Sequence, residues 1–131
     1  MVGKPHRGRH AVREIIEGLL ADGAAATCLT VDLEAGYSGR DLADVRQIAE
    51  RRKNMYVVLP ITEMIAERAR DVQIRMAARG QHRAAGVIDL ITAAVAEHHG
   101  AVVLHYGADF EHIAAVTGQA QAWIAPRGSL A

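Results

Sequence analysis

The stretch Gly86-Val-Ile-Asp-Leu-Ile-Thr-Ala-Ala-Val-Ala-Glu-His-His-Gly-Ala-Val-Val-Leu-His105 decides the fold. Up to Ala96 it is apolar on nearly every side and reads as one buried helix. After Gly100 it becomes a short apolar run that reads as a strand covered on both faces. One residue conflicts with burial: Asp89, in the first turn of the helix, flanked by Val87, Ile88, Leu90 and Ile91. An ionised carboxylate in such company is costly unless a cation or hydrogen-bond donors compensate it. Capping of its own helix, where free N–H groups and the dipole favour negative charge, stands level with a metal or catalytic role. The strand shifts that balance. It runs into Tyr106-Gly-Ala-Asp109-Phe-Glu-His-Ile-Ala, which puts a second acid just past a strand end. In open α/β sheets that C-terminal edge is where ligands bind.

Downstream, Asp109 to Gly118 reads as a short helix that Asp109 is placed to cap. Gln121 to Ile124 reads as an edge strand and residues 126–131 as a loose tail. Upstream, Thr62 opens a long helix that runs to Arg79 and Gly80 and carries Met64, Ile65, Val72, Ile74 and Met76. Met55 to Leu59 is a β-branched apolar run, hence a strand, which Pro60 helps to end. Asp41 opens a helix with Leu42, Val45, Ile48 and Ala49 as its apolar face, and Arg51, Arg52 and Lys53 close it where the dipole prefers cations. Ala24 to Leu29 is a small-residue strand, and Thr30 is placed to cap the helix that follows. That helix carries Asp32 and Glu34, two residues apart. Side chains at i and i+2 do not share a helix face, so the two cannot both point into one site. His10 to Leu20 has helical spacing through Val12, Ile15, Ile16 and Leu19, whereas residues 1–9 read as a loose basic segment.

Strands alternating with helices imply an α/β fold, a parallel sheet with helices on both faces. Its order is unusual in opening with a helix rather than a buried central strand. At 131 residues, half of them hydrophobic, the chain has room for one domain with a real core. A formal net charge of +0 leaves no global field to draw nucleic acid, so any such binding rests on local arginines. The lone Cys28 suits a reduced cytoplasm and a buried small side chain. No run reaches the ~18 apolar residues of a membrane span, so the expected location is cytoplasmic, with no membrane contact. His98 and His99 are adjacent, lack metal-ligand spacing, and read as charge partners at a helix C-terminus. No glycine-rich phosphate loop follows any strand, which argues against a nucleotide-binding domain.

Taken together, these segments resemble the PIN-domain ribonucleases, specifically the VapC toxins of VapBC toxin–antitoxin pairs. Arg79-Gly-Gln-His-Arg-Ala-Ala-Gly-Val-Ile-Asp89 with the helix after it is similar to their third-acid helix. Leu104-His-Tyr-Gly-Ala-Asp109-Phe-Glu-His-Ile-Ala resembles their fourth-acid region, and Gln121-Ala-Trp-Ile their last strand. Ala26-Thr-Cys-Leu-Thr-Val-Asp32-Leu-Glu34 with Tyr37-Ser-Gly-Arg40 resembles their second-acid helix.

The resemblance implies a three-layer α/β/α domain over residues 1–131 and a metal-dependent endoribonuclease. In that family three or four carboxylates gather one or two Mg²⁺ or Mn²⁺ ions, hard cations suited to oxygen ligands, which activate water for attack on RNA. Carried onto this sequence, Asp89 matches the third acid, and Asp32 and Glu34 both match the second, with Glu34 favoured slightly for its longer reach. Asp109 is a candidate fourth ligand, so the implied metal set is Asp89, Glu34 and Asp109. Arg79 and Arg83 are candidate RNA contacts. The implied partners are a VapB-like antitoxin and a second copy of the chain as a homodimer.

The sequence departs from that family at two places. An Asp directly after the strand is usual where this chain has Gly107. The family's first acid lies at the end of an N-terminal central strand that would fall at or before Met1, which fits either an upstream start or a decaying gene. The expectation is therefore a sheet with a gap in its middle and an impaired metal site. The competing expectation is a non-catalytic PIN relic that still dimerises and binds an antitoxin.

Overall fold

A computed structural model describes residues 4–125 and 127. Its elements run α1 (Lys4–Ala21), β1 (Ala26–Thr27), α2 (Leu29–Tyr37), α3 (Leu42–Met55), β2 (Val57–Val58), α4 (Glu63–Ala78), α5 (Val87–His98), β3 (Val103–His105), α6 (Asp109–Thr117) and β4 (Gln121–Trp123). Every strand pairing is parallel, as alternation of strands with helices requires, and the fold is α/β.

α5 is the hub, as its all-round apolar sequence predicts. Its Leu90 and Ala93 join Val72 and Met76 of α4, Ala85 and Ile113 of α6 in one buried cluster, with Phe110 and Val116 packed against it. Its Ala94 and Val95 join Cys28 and Ile65 in a second cluster with Val31, Leu59, Ala69 and Ile91. The small side chains Ala93, Ala94 and Ala96 let neighbouring elements approach α5 on two sides. Gly100, at φ 67°, takes the left-handed conformation that ends this helix and turns the chain into β3.

The local start signals are partly confirmed. Asp41 caps α3, its carboxylate accepting from the Asp44 N–H, and Thr62 caps α4 by accepting from the Ile65 N–H. Thr30 does not cap α2. The N-cap is Cys28, and Thr30 lies inside the helix with its hydroxyl on Cys28 Sγ and on the Thr92 hydroxyl of α5. The residues read as a loose segment, 1–9, are helical from Lys4 onward, because a helix begun at His10 extends backward through basic residues that tolerate helical backbone. Of the tail read as loose, residues 126 and 128–131 lie outside the described residues. The apolar face expected on α3 is not buried: Leu42 and Val45 are exposed, and no residue of that helix reaches the core. Only Ile48 of that stripe is half-buried, since α2 alone packs along the helix.

The strands form two separate two-stranded sheets, β1 with β2 and β3 with β4. Among the described residues no strand pairing joins the two sheets. Between β1 and β3 lies an apolar cleft of about 620 Å³, walled by Ala24–Cys28 on one side and Ala101–Leu104 on the other. No helix among the described residues is long and apolar enough to cross a membrane.

Candidate functional site

Two carboxyl groups meet where the C-terminal end of β3 approaches the N-terminus of α5. Asp89 does not cap its own helix: the N-cap is Gly86, and no side chain accepts there. Nor does Asp109 cap α6, whose N-cap is Ala108. Asp109 instead reaches across to α5 and accepts the Gly86 N–H at 3.2 Å, through Oδ2. That orphan donor of the α5 N-terminus fixes the second acid beside the first. Both capping readings from sequence are therefore corrected, and for one reason. The two helices start side by side, so each acid finds the neighbouring helix rather than its own.

The electrostatic consequence falls on Asp89. Its carboxyl pKa is pushed up to about 7, first by burial, then by a hydrogen bond with Asp109 and by the negative charges of Asp109 and Glu34. Burial and like charge both disfavour the ionised form. Asp89 thus binds a proton in the folded chain at pH values where an unfolded Asp has lost it. A folded-state pKa raised above the unfolded value gives stability that is fully present below pH ~4 and is lost as pH rises through about 7. We expect the metal-free chain to lose about 1–2 kcal/mol of unfolding free energy between pH 4 and pH 7.5 from this group, a figure discounted for its partial exposure. Urea titrations across that range, repeated with Asp89→Asn, check it: the slope attributable to Asp89 should vanish in the variant.

The pair left open in the sequence is separated by its surroundings. Asp32 is engaged: Arg52 Nε donates to its Oδ1 at 2.8 Å, and the Thr27 hydroxyl donates to the same oxygen at 3.0 Å. Arg52 also donates through Nη2 to Thr27 Oγ1 at 3.0 Å and lies over the Tyr56 ring, 4.7 Å from its centroid. Asp32 is thus a structural acid that ties α2 to α3 beneath β1. Glu34 is exposed on another face of α2 and contributes negative charge at Asp89 without a hydrogen bond to it. Sequence reading missed Arg52, which it took only as a cation at a helix C-terminus. Its partner lies twenty residues away, and no periodicity reports a contact between two helices. Replacing Arg52 by Met would leave Asp32 half-buried without its cation, at a cost of about 1–2 kcal/mol, less than for a fully buried pair. Chemical denaturation measures this, and the double variant with Asp32→Asn should recover most of the loss.

The candidate RNA contacts are not in the pair. Arg79, at the end of α4, donates through Nη1 to the Ala115 carbonyl of α6 at 3.4 Å, while Arg83 stands exposed in the loop leading to Gly86. Behind Asp109, the buried His105 accepts the Gly107 N–H on Nδ1 at 3.2 Å. Its Nε2–H therefore donates to Gln121 Oε1. Phe110 and Trp123 pack against the ring, which holds the turn between β3 and α6. Trp123 Nε1 in turn donates to Glu111 at 2.6 Å. These aromatic and histidine contacts were not foreseen. The only sequence signal was that His105, Phe110 and Trp123 flank one strand end.

Among the described residues, no three His, Cys, Asp or Glu side chains are gathered closely enough to enclose a metal ion. The donor set at the pair is nonetheless all oxygen, and the two carboxyls face each other with no protein cation between them. A hard dication such as Mg²⁺ binds through one or two carboxylates and keeps several waters, so two carboxyls are enough to fit it.

Residues 1–116 match the family model described as the PIN domain. The chain is 40% identical over 119 residues to the Mycobacterium tuberculosis protein named ribonuclease VapC21, an alignment that covers 91% of this chain and 86% of that protein. It is 42% identical over 122 residues to ribonuclease VapC51 of the same organism, with 93% and 88% covered. With ribonuclease VapC18 the identity is 35% over 128 residues, covering 95% and 92%.

Proposed function

This chain belongs to the PIN-domain family, and on that premise we propose that it is a VapC-like toxin, a divalent-metal-dependent endoribonuclease whose site is built on Asp89 and Asp109 with Glu34 at its margin. The observation that carries the reading is the carboxyl pair itself: two acids from different helices, held together by the Gly86 N–H, with no ion pair to a cation among the described residues. Structural acids in this chain look different. Asp32 has Arg52, and Glu97 has Arg68 at 2.7 Å. A carboxyl whose pKa is raised by burial and by the acids beside it marks a site arranged for a ligand that brings positive charge.

In this reading Asp89 and Asp109 hold Mg²⁺ or Mn²⁺. When bound, the ion supplies a more acidic water and a Lewis acid for the leaving oxygen of the RNA phosphodiester. The contributions of the chain are positional. The Gly86 N–H orients Asp109, the His105 ring steadies the turn that carries it, and the exposed Arg79 and Arg83 offer charge to an RNA backbone. Asp89 must lose its proton to act as a ligand, so metal affinity and cleavage rise with pH through about 7. The reading also includes a VapB-like antitoxin as partner, a homodimer, and a cytoplasmic location.

The test is cleavage of a mixed RNA pool by the purified chain over a Mg²⁺ titration, with EDTA as control. Metal-dependent cleavage that EDTA abolishes supports the toxin reading; cleavage indifferent to EDTA overturns it. One observation favours a second reading, the non-catalytic antitoxin-binding relic: the described acids do not gather in threes. Gly107 separates the two. A Cβ built there meets nothing within 4 Å, so Gly107→Asp adds a carboxylate to the turn without a clash. We expect this variant to lower the Mg²⁺ concentration for half-maximal cleavage by about 10-fold, the effect of one further acidic group near a metal. A chain inactive in both forms would favour the relic.

A further inference from the structure

We propose that Tyr106 and Trp123 form a stacking platform for one unpaired base of the RNA strand whose phosphodiester lies at the carboxyl pair. The inference rests on the nuclease reading above, which makes RNA the ligand, and it adds the side chains that grip a base. The chain has one Trp, one Phe and three Tyr, and the Trp, the Phe and one Tyr meet at the end of β3. In the β3–β4 pairing His105 lies opposite Trp123, so Trp123 closes β4 where Tyr106 leaves β3. Both rings therefore stand at the C-terminal edge of this parallel pair, the edge from which the chain turns to Asp109. Asp109 follows Tyr106 by three residues, which keeps their Cα atoms within ~11 Å of each other.

The two rings are held differently. Trp123 is fixed: its Nε1–H donates to Glu111 Oε1 at 2.6 Å, and the buried His105 ring lies 4.9 Å from it between centroids. Tyr106 meets Trp123 at 84° with centroids 5.6 Å apart, and it is 36% exposed. A perpendicular contact of this kind covers one face of a ring at most, so at least one face of Tyr106 is clear of Trp123. A ring backed by a fixed neighbour and open on a face lets a base stack at little cost in side-chain freedom. Charge agrees with RNA as the occupant. The exposed Arg127 holds its guanidinium carbon 5.8 Å from the Trp123 ring centroid, where it can meet a phosphate or lie against a base. Glu111, the acid at the platform, is engaged by the indole N–H. An apolar peptide side chain could use the rings but would gain nothing from Arg127 or from the carboxyl pair close by.

Trp123 is the only tryptophan of the chain, so its fluorescence reports on the platform directly. The probe is a single-stranded RNA hexamer of mixed sequence, titrated into the full chain in EDTA, beside a hexamer of the same backbone that carries no bases. We expect saturable quenching by the first and an affinity about 10-fold above that of the abasic strand, the effect of one base stacked on an aromatic ring. Tyr106→Ala should weaken binding of the complete hexamer by about 10-fold and leave the abasic one unchanged, whereas Tyr106→Phe, which keeps the ring, should stay within about twofold of the parent. Arg127→Ala should weaken both strands, since phosphate contacts do not read bases. If Tyr106 only shields Trp123 from water, the Ala variant melts earlier but keeps its preference for the strand with bases, and that result overturns the proposal. So does equal affinity for the two strands, or the lack of saturable quenching up to about 1 mM, beyond ordinary non-specific affinities. Affinity for adenosine monophosphate equal to that for the hexamer also overturns it, by making the ligand a free nucleotide. Should Tyr106→Ala unfold, the comparison of the two strands on the unmodified chain decides. Binding is read here without cleavage, so failure of the platform and failure of the nuclease reading in the Mg²⁺ titration are separate results.

Discussion

Asp89→Asn should reduce RNA cleavage by roughly 10²–10³-fold, the loss expected when several kcal/mol of metal-borne transition-state stabilisation disappear. The same substitution should leave the metal-free fold intact and make it more stable at pH 8 by about 1 kcal/mol, since it removes a charge from a partly buried position beside Asp109 and Glu34. The opposite signs are the diagnostic feature. An acid that served as a helix cap would lose stability on becoming Asn only slightly, and activity would not follow. Cleavage rates and urea midpoints on the same preparations check both halves, and a variant that cleaves at the parental rate would remove Asp89 from the chemistry.

The second large effect concerns how the pair is held. Ile113 lies four residues after Asp109, on the same face of α6, and is 1% exposed in the cluster with Leu90, the residue next to Asp89. The core contact between α5 and α6 is thus directly beneath the carboxyl contact. Ile113→Ala should destabilise the chain by about 3 kcal/mol through lost burial and the cavity left behind. It should also lower cleavage in conditions where the chain remains folded, because α6 no longer fixes Asp109 against α5. Ile113→Val, which keeps most of the packing, should cost only about 1 kcal/mol and retain activity. Equal activity in the two variants, each measured well below its melting midpoint, would show that the packing does not position the acid.

Much of this was readable in the sequence because its cause is local. The all-round apolar run of α5, the caps at Asp41 and Thr62, and the stop at Gly100 each follow from side-chain chemistry within one turn of chain. So does the conflict between the Asp89 carboxylate and its apolar neighbours, which by itself singles that residue out. The alternation of strands and helices required parallel pairing, and both described pairings are parallel.

Partner choice was decided elsewhere. Asp32 and Glu34 are equivalent as letters, and only the approach of α3 brings Arg52 to the first and leaves the second exposed. For Asp89 and Asp109 the sequence left a cap and a metal ligand open side by side, and the structure has neither acid capping its own helix but Asp109 reaching the start of α5 beside Asp89. The apolar stripe of α3 reads as a buried face, yet none of its residues is fully buried and Leu42 and Val45 are exposed, because burial depends on what lies opposite and amphipathicity does not say what that is. Sequence determined which groups had to find partners, since desolvation and hydrogen bonding act on each residue alone. Tertiary structure decided which partners they found, since that depends on distances between segments far apart in the chain.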